Sequence, residues 1–424
     1  MATASPGDAA SGPARQTDVA VIGGGIVGAS LAYYLARRGV QVTLLEKGRI
    51  GGEQSSRNWG AVRQQGRDPA ELPLMMECNR IWRGLEQELQ ADLDWRQQGQ
   101  MRLAYDEQAL ARAEAWMPIA RAHNLDTRIL TAREVSDLLP HYAGPGCVGG
   151  MFTASDGCAE PEKVAVAFAK AAVRQGAAVV EQCAVQGIDT RNGAACGVHT
   201  EKGHVGANAV VCASGAWTSR LLRPLGVAHP SLWVRGTAAQ TEPLGIDIRK
   251  LVVWGKCAYR QRPDGSLTLA AAEDGYHDVM LDSLRYGRAF LGLARQNWRN
   301  LHFAVGMPLI QDMSGEFRSF TRHRTLDPAP DLPGLDRAAK AFALEYPSAP
   351  PIRLRRSWAG WIDYMPDELP VIDALASPRG LFVAAGLSGH GFGLGPIVGK
   401  TVAALILDGR SDHDLSSFRA GRFT

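Results

Sequence analysis

The chain has 424 residues, enough for a large core and two or three domains. Its 46% apolar and 21% charged content is that of an ordinary globular protein, and a net charge of +3, spread along the chain, gives no footprint for nucleic acid or an acidic membrane surface. The seven cysteines are an odd number with no CxxC pair, which argues against a zinc site, an iron–sulfur cluster or a disulfide framework; no metal ligand is assigned, and a reducing, cytoplasmic setting is expected.

Residues 1–17, rich in Ala, Ser, Gly and Pro, read as a disordered leader without the apolar core of a signal peptide, and no apolar run approaches the length of a transmembrane helix. Val19, Ala20, Val21 and Ile22 then read as a strand that runs into Gly23-x-Gly25-x-x-Gly28. Ile26 and Val27 open a helix whose apolar side continues at Leu31 and Leu35; Gly39 stops it, and QVTLLE reads as a second buried strand. Gly23 permits the tight turn, Gly25 a close pyrophosphate, and Gly28 close packing of helix on strand. The free N–H groups of the helix N-terminus suit phosphate, and Glu46, followed by Lys47, falls where a carboxylate accepts from ribose hydroxyls. This is a dinucleotide site; the motif alone does not name the dinucleotide.

The loop GRIGGEQSSRNWGAVRQQG cannot form a core of its own. It is either a solvated connection or a lid on a ligand, and its place directly after the nucleotide unit favours the ligand. Residues 72–93 have the period of an amphipathic helix with Met75, Met76, Ile81, Trp82, Leu85 and Leu89 on its apolar side. After a mixed segment, Thr131 with Glu134 three residues on marks a short capped helix. Pro161 opens an Ala-rich helix to Arg174, Gly176 ends it, and a strand and a meander with a turn at Asn192 and Gly193 follow. The meander closes on a strongly apolar strand, 209–213, and then Ser214-Gly215-Ala216-Trp217, which reads equally as a second contact between backbone and cofactor or as a plain strand-to-helix turn.

Residues 228–350 read as a β-rich second domain with a charged helical insertion over 277–324 and a Pro-rich connector. The last hundred residues return to the first texture: strand LFVAAG, loop LSGHGFGLGP, and a helix with Ile397, Val398, Val402, Leu405 and Ile406. Glycines at 386, 389, 391, 393 and 395 make the loop one of close approach at a helix N-terminus. Three glycine-rich strand–loop–helix elements so far apart exceed what one contiguous NAD domain needs. They suit FAD, with its ADP half on the first motif and its isoalloxazine on the last, where a helix N-terminus stabilises charge arising on reduction.

Taken together, VIGGGIVGASLAYYLARRG, GEQSSRNWGAVR, DGCAEP, VVCASGAW and RSWAGWIDYMPDELPVID…GLFVAAGLSGHGFGLGPIVGK resemble the D-amino-acid oxidase and sarcosine oxidase family of flavoenzymes, nearest to sarcosine oxidase β-subunits, glycine oxidases and D-amino-acid dehydrogenases. Residues 277–330 match poorly. The resemblance implies an α/β fold: a split Rossmann-like FAD-binding domain (18–62, 150–227 and 352–410), a substrate domain on an antiparallel sheet (63–149 and 228–351), and a tail, 411–424. It implies oxidation of the C–N bond of a secondary, N-substituted or D-amino acid, with hydride passing to flavin N5 and the resulting imine hydrolysing. It also implies FAD contacts at Ser55, Ser56, Arg57, Asn58, Gly60, Val185, Ala213, Ser214, Gly215, Trp217, Gly360, Gly386, Ser388, Gly389, His390, Gly391, Phe392 and Gly393.

Arg63 matches the arginine that holds the substrate carboxylate, against its reading as a surface arginine; His390 matches a histidine near the flavin, which tunes it or the amine, or only orders the loop. Two positions depart from the family pattern. Gly360 stands where monomeric sarcosine oxidases carry the cysteine that attaches FAD, so noncovalent FAD is expected, and Gly393 replaces a lysine that helps hold carboxylate. Lys256, Tyr259 and Arg260 lie in a strand that could face the flavin. The electron acceptor is left open between O2, a quinone and a partner subunit, and the assembly between homo- and hetero-oligomer. The rival readings are a 2-hydroxy-acid dehydrogenase and the flavin subunit of a hetero-oligomeric amine dehydrogenase.

Overall fold

The structure is a computed structural model, which describes residues 13–272, 275–297 and 301–423; most of the expected leader lies outside the described residues. The apolar strand Gln16–Ile22 starts two residues before the expected boundary and lies at the centre of an eight-stranded sheet. Parallel neighbours are Gly203–Cys212 on one side and Val42–Leu45, then Ala178–Val180, on the other. Leu381–Ala385 continues the parallel order, and the edge strand Val371–Ala374 and the pair Val185–Arg191 and Ala194–Thr200 run antiparallel.

Helices Ile26–Arg37, Pro161–Arg174, Leu72–Leu89 and Gly391–Asp408 share one buried apolar cluster on a face of this sheet. Two glycines set how closely the first and last of these meet. A Cβ at Gly395 would press into Ile26, and one at Gly399 into Ser30, whose hydroxyl donates to the Gly395 carbonyl at 3.0 Å. The last helix corrects the expectation about apolar length: by length and hydropathy it could cross a membrane, but 61% of it is buried inside the protein, as a core helix is.

The second sheet has ten strands and is mixed rather than antiparallel, because Gln100–Ala104 pairs parallel to Leu251–Trp254 and Gly275–Asp278 parallel to Leu301–Ala304. Three domain assignments change. Strand Leu354–Tyr364, expected in the cofactor domain, pairs along its length with Leu232–Thr241 in the second sheet. Strand Gly149–Thr153 also belongs to the second sheet, between Gln100–Ala104 and Thr127–Thr131. Helix Leu72–Leu89, expected with the substrate domain, packs on the cofactor sheet because its Leu74, Met75, Cys78, Trp82, Leu85 and Leu89 join that core; Met76 and Ile81 are only half-buried. The helix stops at Leu89, where Gln90 takes a left-handed conformation.

The insertion forms short helices Leu281–Tyr286, Leu291–Asn297 and Met307–Met313. It is pinned to the body by Arg220 on Asp312 (3.2 Å) and by the Trp361 indole N–H on Asp278 (2.6 Å). A helix not read from the sequence, Glu107–Ala122, is capped by Asp106, whose carboxylate accepts from the Ala109 N–H at 2.7 Å.

Candidate active site

The two helix N-termini, the loop after Val42–Leu45 and strand Leu354–Tyr364 converge on one cavity of about 540 Å³, a size typical of ligand sites, which run from about 300 to 1,000 Å³. At one end Gly23 has φ +105°, and a Cβ there would press into the Ala213 carbonyl; Gly25 and Ile26 face the cavity directly. Glu46, expected to accept from ribose hydroxyls, lines the cavity, and its oxygens accept from Gly24 N–H (2.7 Å) and Gly48 N–H (2.6 Å). Burial pushes its carboxyl up to about 7 against those bonds. Lys47 pairs with Glu53 at 2.5 Å and lies 4.7 Å above the Trp217 ring.

The Gly/Ser/Asn-rich loop is a wall rather than a solvated connection. Ser55 Oγ accepts from the Ile26 N–H at 2.9 Å, Asn58 accepts from the Gly60 N–H at 2.8 Å, and Arg57 donates to the Ala359 carbonyl at 2.8 Å. Ser55, Arg57 and Asn58 line the cavity, as do Val27, Val185, Ala213, Ser214, Gly215, Trp217 and Gly360. Five expected contacts do not. Gly28 fits beneath the Gly23 carbonyl, Ser56 turns back to the Glu53 carbonyl (3.2 Å), and Gly60 packs under Arg260. Gly386 donates to Asp363 (2.7 Å), and the Gly393 carbonyl accepts from the Trp82 indole N–H (2.9 Å). These five shape the wall from behind.

At the other end the loop Ser388, Gly389, His390, Gly391 and Phe392 lines the cavity together with Arg63. Arg63 donates to the Gln65 carbonyl at 2.5 Å and is held there by backbone rather than by a carboxylate. Sequence reasoning missed its companions Arg67, Gln100, Arg102 and Tyr364, which line the same cavity. Gln100 and Arg102 arrive through the pairing of Gln100–Ala104 with strands far away in sequence, so no local signal marks them; Arg67 follows Arg63 in the GAVRQQGR run, a turn with no period that marks it.

Behind His390 stands a buried ion pair. Arg67 and Glu71 are 2% and 0% exposed and 3.4 Å apart, and Glu71 Oε2 lies 3.0 Å from His390 Nδ1. Arg67 and His390 together hold the Glu71 carboxyl below its ordinary range despite burial, so it is an acceptor only. His390 Nδ1 therefore carries the proton, and Nε2 is left as a bare acceptor. Burial and then the Arg67 charge push the imidazole down to about 4, so it is neutral at physiological pH. Tyr364 stays protonated, pushed up to about 12 by burial.

The remaining strand expectation does not hold: Tyr259 is buried in the second domain's core with its hydroxyl on Glu345 (2.6 Å), Arg260 pairs with Glu160 (3.4 Å), and Lys256 is exposed. None lines the cavity.

The glycine cradle at one end and the cation-rich pocket at the other fit a long cofactor with substrate beyond it. Comparison with known proteins agrees. Glycine oxidase of Bacillus subtilis (strain 168) is 27% identical over 417 residues, 96% of this chain and 98% of its own length. Sarcosine oxidase subunit beta of Rhizobium meliloti (strain 1021) is 26% identical, covering 97% and 89%. Among solved structures, the L-amino acid deaminase of Proteus myxofaciens in complex with anthranilate superposes with a TM-score of 0.90 at 28% identity, covering 97% of this chain and 94% of that one. The profile described as FAD dependent oxidoreductase matches residues 18–405, and the chain belongs to that family of FAD-dependent amino-acid and sarcosine oxidases and dehydrogenases.

Proposed function

We propose that the substrate is an α-amino acid with a secondary, N-substituted or D-configured amine, bound with its carboxylate on Arg63 and its nitrogen toward His390. FAD, when bound, supplies a two-electron acceptor for the hydride that leaves the carbon bearing nitrogen. The observation that carries this reading is the pairing, in one cavity, of a guanidinium held by backbone with a histidine fixed as an Nε2 acceptor. A carboxylate suits the planar donor fork of Arg63, with Gln100 and Arg102 on the same wall. Neutral His390 accepts an N–H of the amine, and the positive charges of Arg63 and Arg67 on the same cavity disfavour an ammonium, which leaves the form with a lone pair free to assist loss of hydride.

The same weak base favours an amine over a 2-hydroxy acid. An amine reaches the iminium with no proton removed from nitrogen, whereas a hydroxyl must lose its proton, and a base near 4 is poorly matched to that task. The imine leaves to hydrolyse in water, needing no further residue. Because one solved relative is called an L-amino acid deaminase, L-amino acids belong in the test beside N-methyl, cyclic and D-amino acids and the matching hydroxy acids. Anaerobic mixing with each, read by loss of flavin absorbance, checks the reading: bleaching by at least one amino acid and by no hydroxy acid is expected. Bleaching by hydroxy acids alone contradicts it.

A further inference from the structure

The antiparallel strands Val185–Arg191, Ala194–Thr200 and Gly203–Cys212 bury Ile188, Val198 and Val205 in the cofactor domain's second apolar cluster and turn their other face to solvent. Register decides what stands on that outer face. His199 is directly opposite His204, and Asp189 directly opposite Gly197, two residues along the same strand as His199. Asp189, His199 and His204 therefore share one side of three adjacent strands. Their ligand atoms all lie within 4.8 Å of one another, and His204 Nε2 is 3.3 Å from Asp189 Oδ2.

Two local irregularities build this arrangement. Gly197 has no side chain where one would separate the outer strands: a Cβ there would sit 2.9 Å from His204 Nε2, so the imidazole lies across the middle strand to reach Asp189. The register shifts between Ala195 and Gly197, and the extra residue is Cys196. A bulge and a glycine thus turn a plain strand face into a cluster of two imidazoles and a carboxylate.

We propose that Asp189, His199 and His204 form a surface site for one divalent transition-metal ion of the zinc class. Two imidazole nitrogens and a carboxylate oxygen, with water in the fourth position, suit a tetrahedral borderline cation and not calcium or magnesium, which take oxygen ligands. Ligand atoms about 2.0–2.2 Å from a tetrahedral zinc stand roughly 3.5 Å apart, so three atoms within 4.8 Å of one another close on the ion by small side-chain rotations. Binding forms three protein–metal bonds with no redox change. The ion pins three strands together on the sheet's outer side, away from the cofactor cavity, which none of the three residues lines. The ligands come from cross-strand register, which is why a search for CxxC spacing does not find them.

The test uses tag-free holoenzyme stripped with EDTA and titrated with Zn²⁺ by calorimetry, and with Co²⁺ by absorbance. One equivalent of zinc per chain is expected, together with the intense cobalt d–d bands of a four-coordinate site. His199→Ala and His204→Ala should each weaken zinc by at least ~10-fold, since even the residues that support metal ligands contribute about that much. Flavin content and melting temperature of the zinc-free variants should match the parent. Failure of the holoenzyme to take up stoichiometric zinc overturns the site, and so does undiminished binding in the double variant His199→Ala/His204→Ala.

Discussion

Glu71 stands behind the cavity wall that Arg67 helps to line, and the pair fixes what His390 offers there. The pair is buried, so removing one partner leaves an uncompensated charge: Glu71→Gln should cost about 3–5 kcal/mol of stability by urea denaturation, and the double variant Arg67→Met/Glu71→Gln should lose less than the two single losses added. The pH dependence has a definite sign. His390 titrates near 4 when folded, below its ordinary 6.5, so the unfolded chain binds the extra proton between those values and stability falls as pH drops from 6.5 toward 4. Glu71, also depressed, adds stability that is present above its ordinary 4.5 and lost as pH falls further. Activity should carry no limb from His390 above about pH 5, since the ring is already neutral there. A limb in kcat/KM that disappears in His390→Gln would contradict the neutral assignment.

A pair of helices at the cavity and a third helix on the second sheet each offer a test. Helices Ile26–Arg37 and Gly391–Asp408 both aim their N-termini at the cavity and approach through Gly395 and Gly399. Gly399→Val must push them apart, because a Cβ there already meets the Leu31 N at 2.6 Å; flavin retention through gel filtration should fall together with the melting temperature. Helix Leu332–Glu345 docks on the second sheet by Glu345, which accepts from Tyr105 and Tyr259 at 2.6 Å each. Burial holds its carboxyl up at about 7, so the folded state keeps a proton that the unfolded state loses near 4.5, and stability falls as pH rises between those values. Glu345→Gln should remove a decline on the order of 3 kcal/mol from that window, read from denaturation at both ends of it.

At the scale of the molecule, what was legible in the sequence was what short-range chemistry encodes. The Gly23-x-Gly25-x-x-Gly28 turn, the Thr131 cap, the Pro161 helix and the loop before the final helix all announce themselves within a dozen residues, and all form. Pairing between distant strands is not so encoded. Strand Leu354–Tyr364 reads locally as part of the cofactor domain, but belongs to the second sheet because Leu232–Thr241 offers it a full-length edge. That strand brings Gly360, Ile362 and Tyr364 to the cavity, and Gln100–Ala104 brings Gln100 and Arg102 the same way. The cofactor end of the site was therefore readable from motifs, whereas most of the substrate end was assembled by register.

Carboxylate recognition by Arg63 and C–N oxidation beside it are separable in one experiment. Anaerobic flavin reduction is followed in the parent and in Arg63→Ala, with an amino acid that bleaches the flavin and with the amine that lacks its carboxylate. In Arg63→Ala the apparent Kd for the amino acid is expected to rise by about 10- to 100-fold, the 1.4–3 kcal/mol of a charge-assisted pair, while the amine reduces the flavin equally in both proteins. An equal effect of Arg63→Ala on amino acid and amine would contradict it.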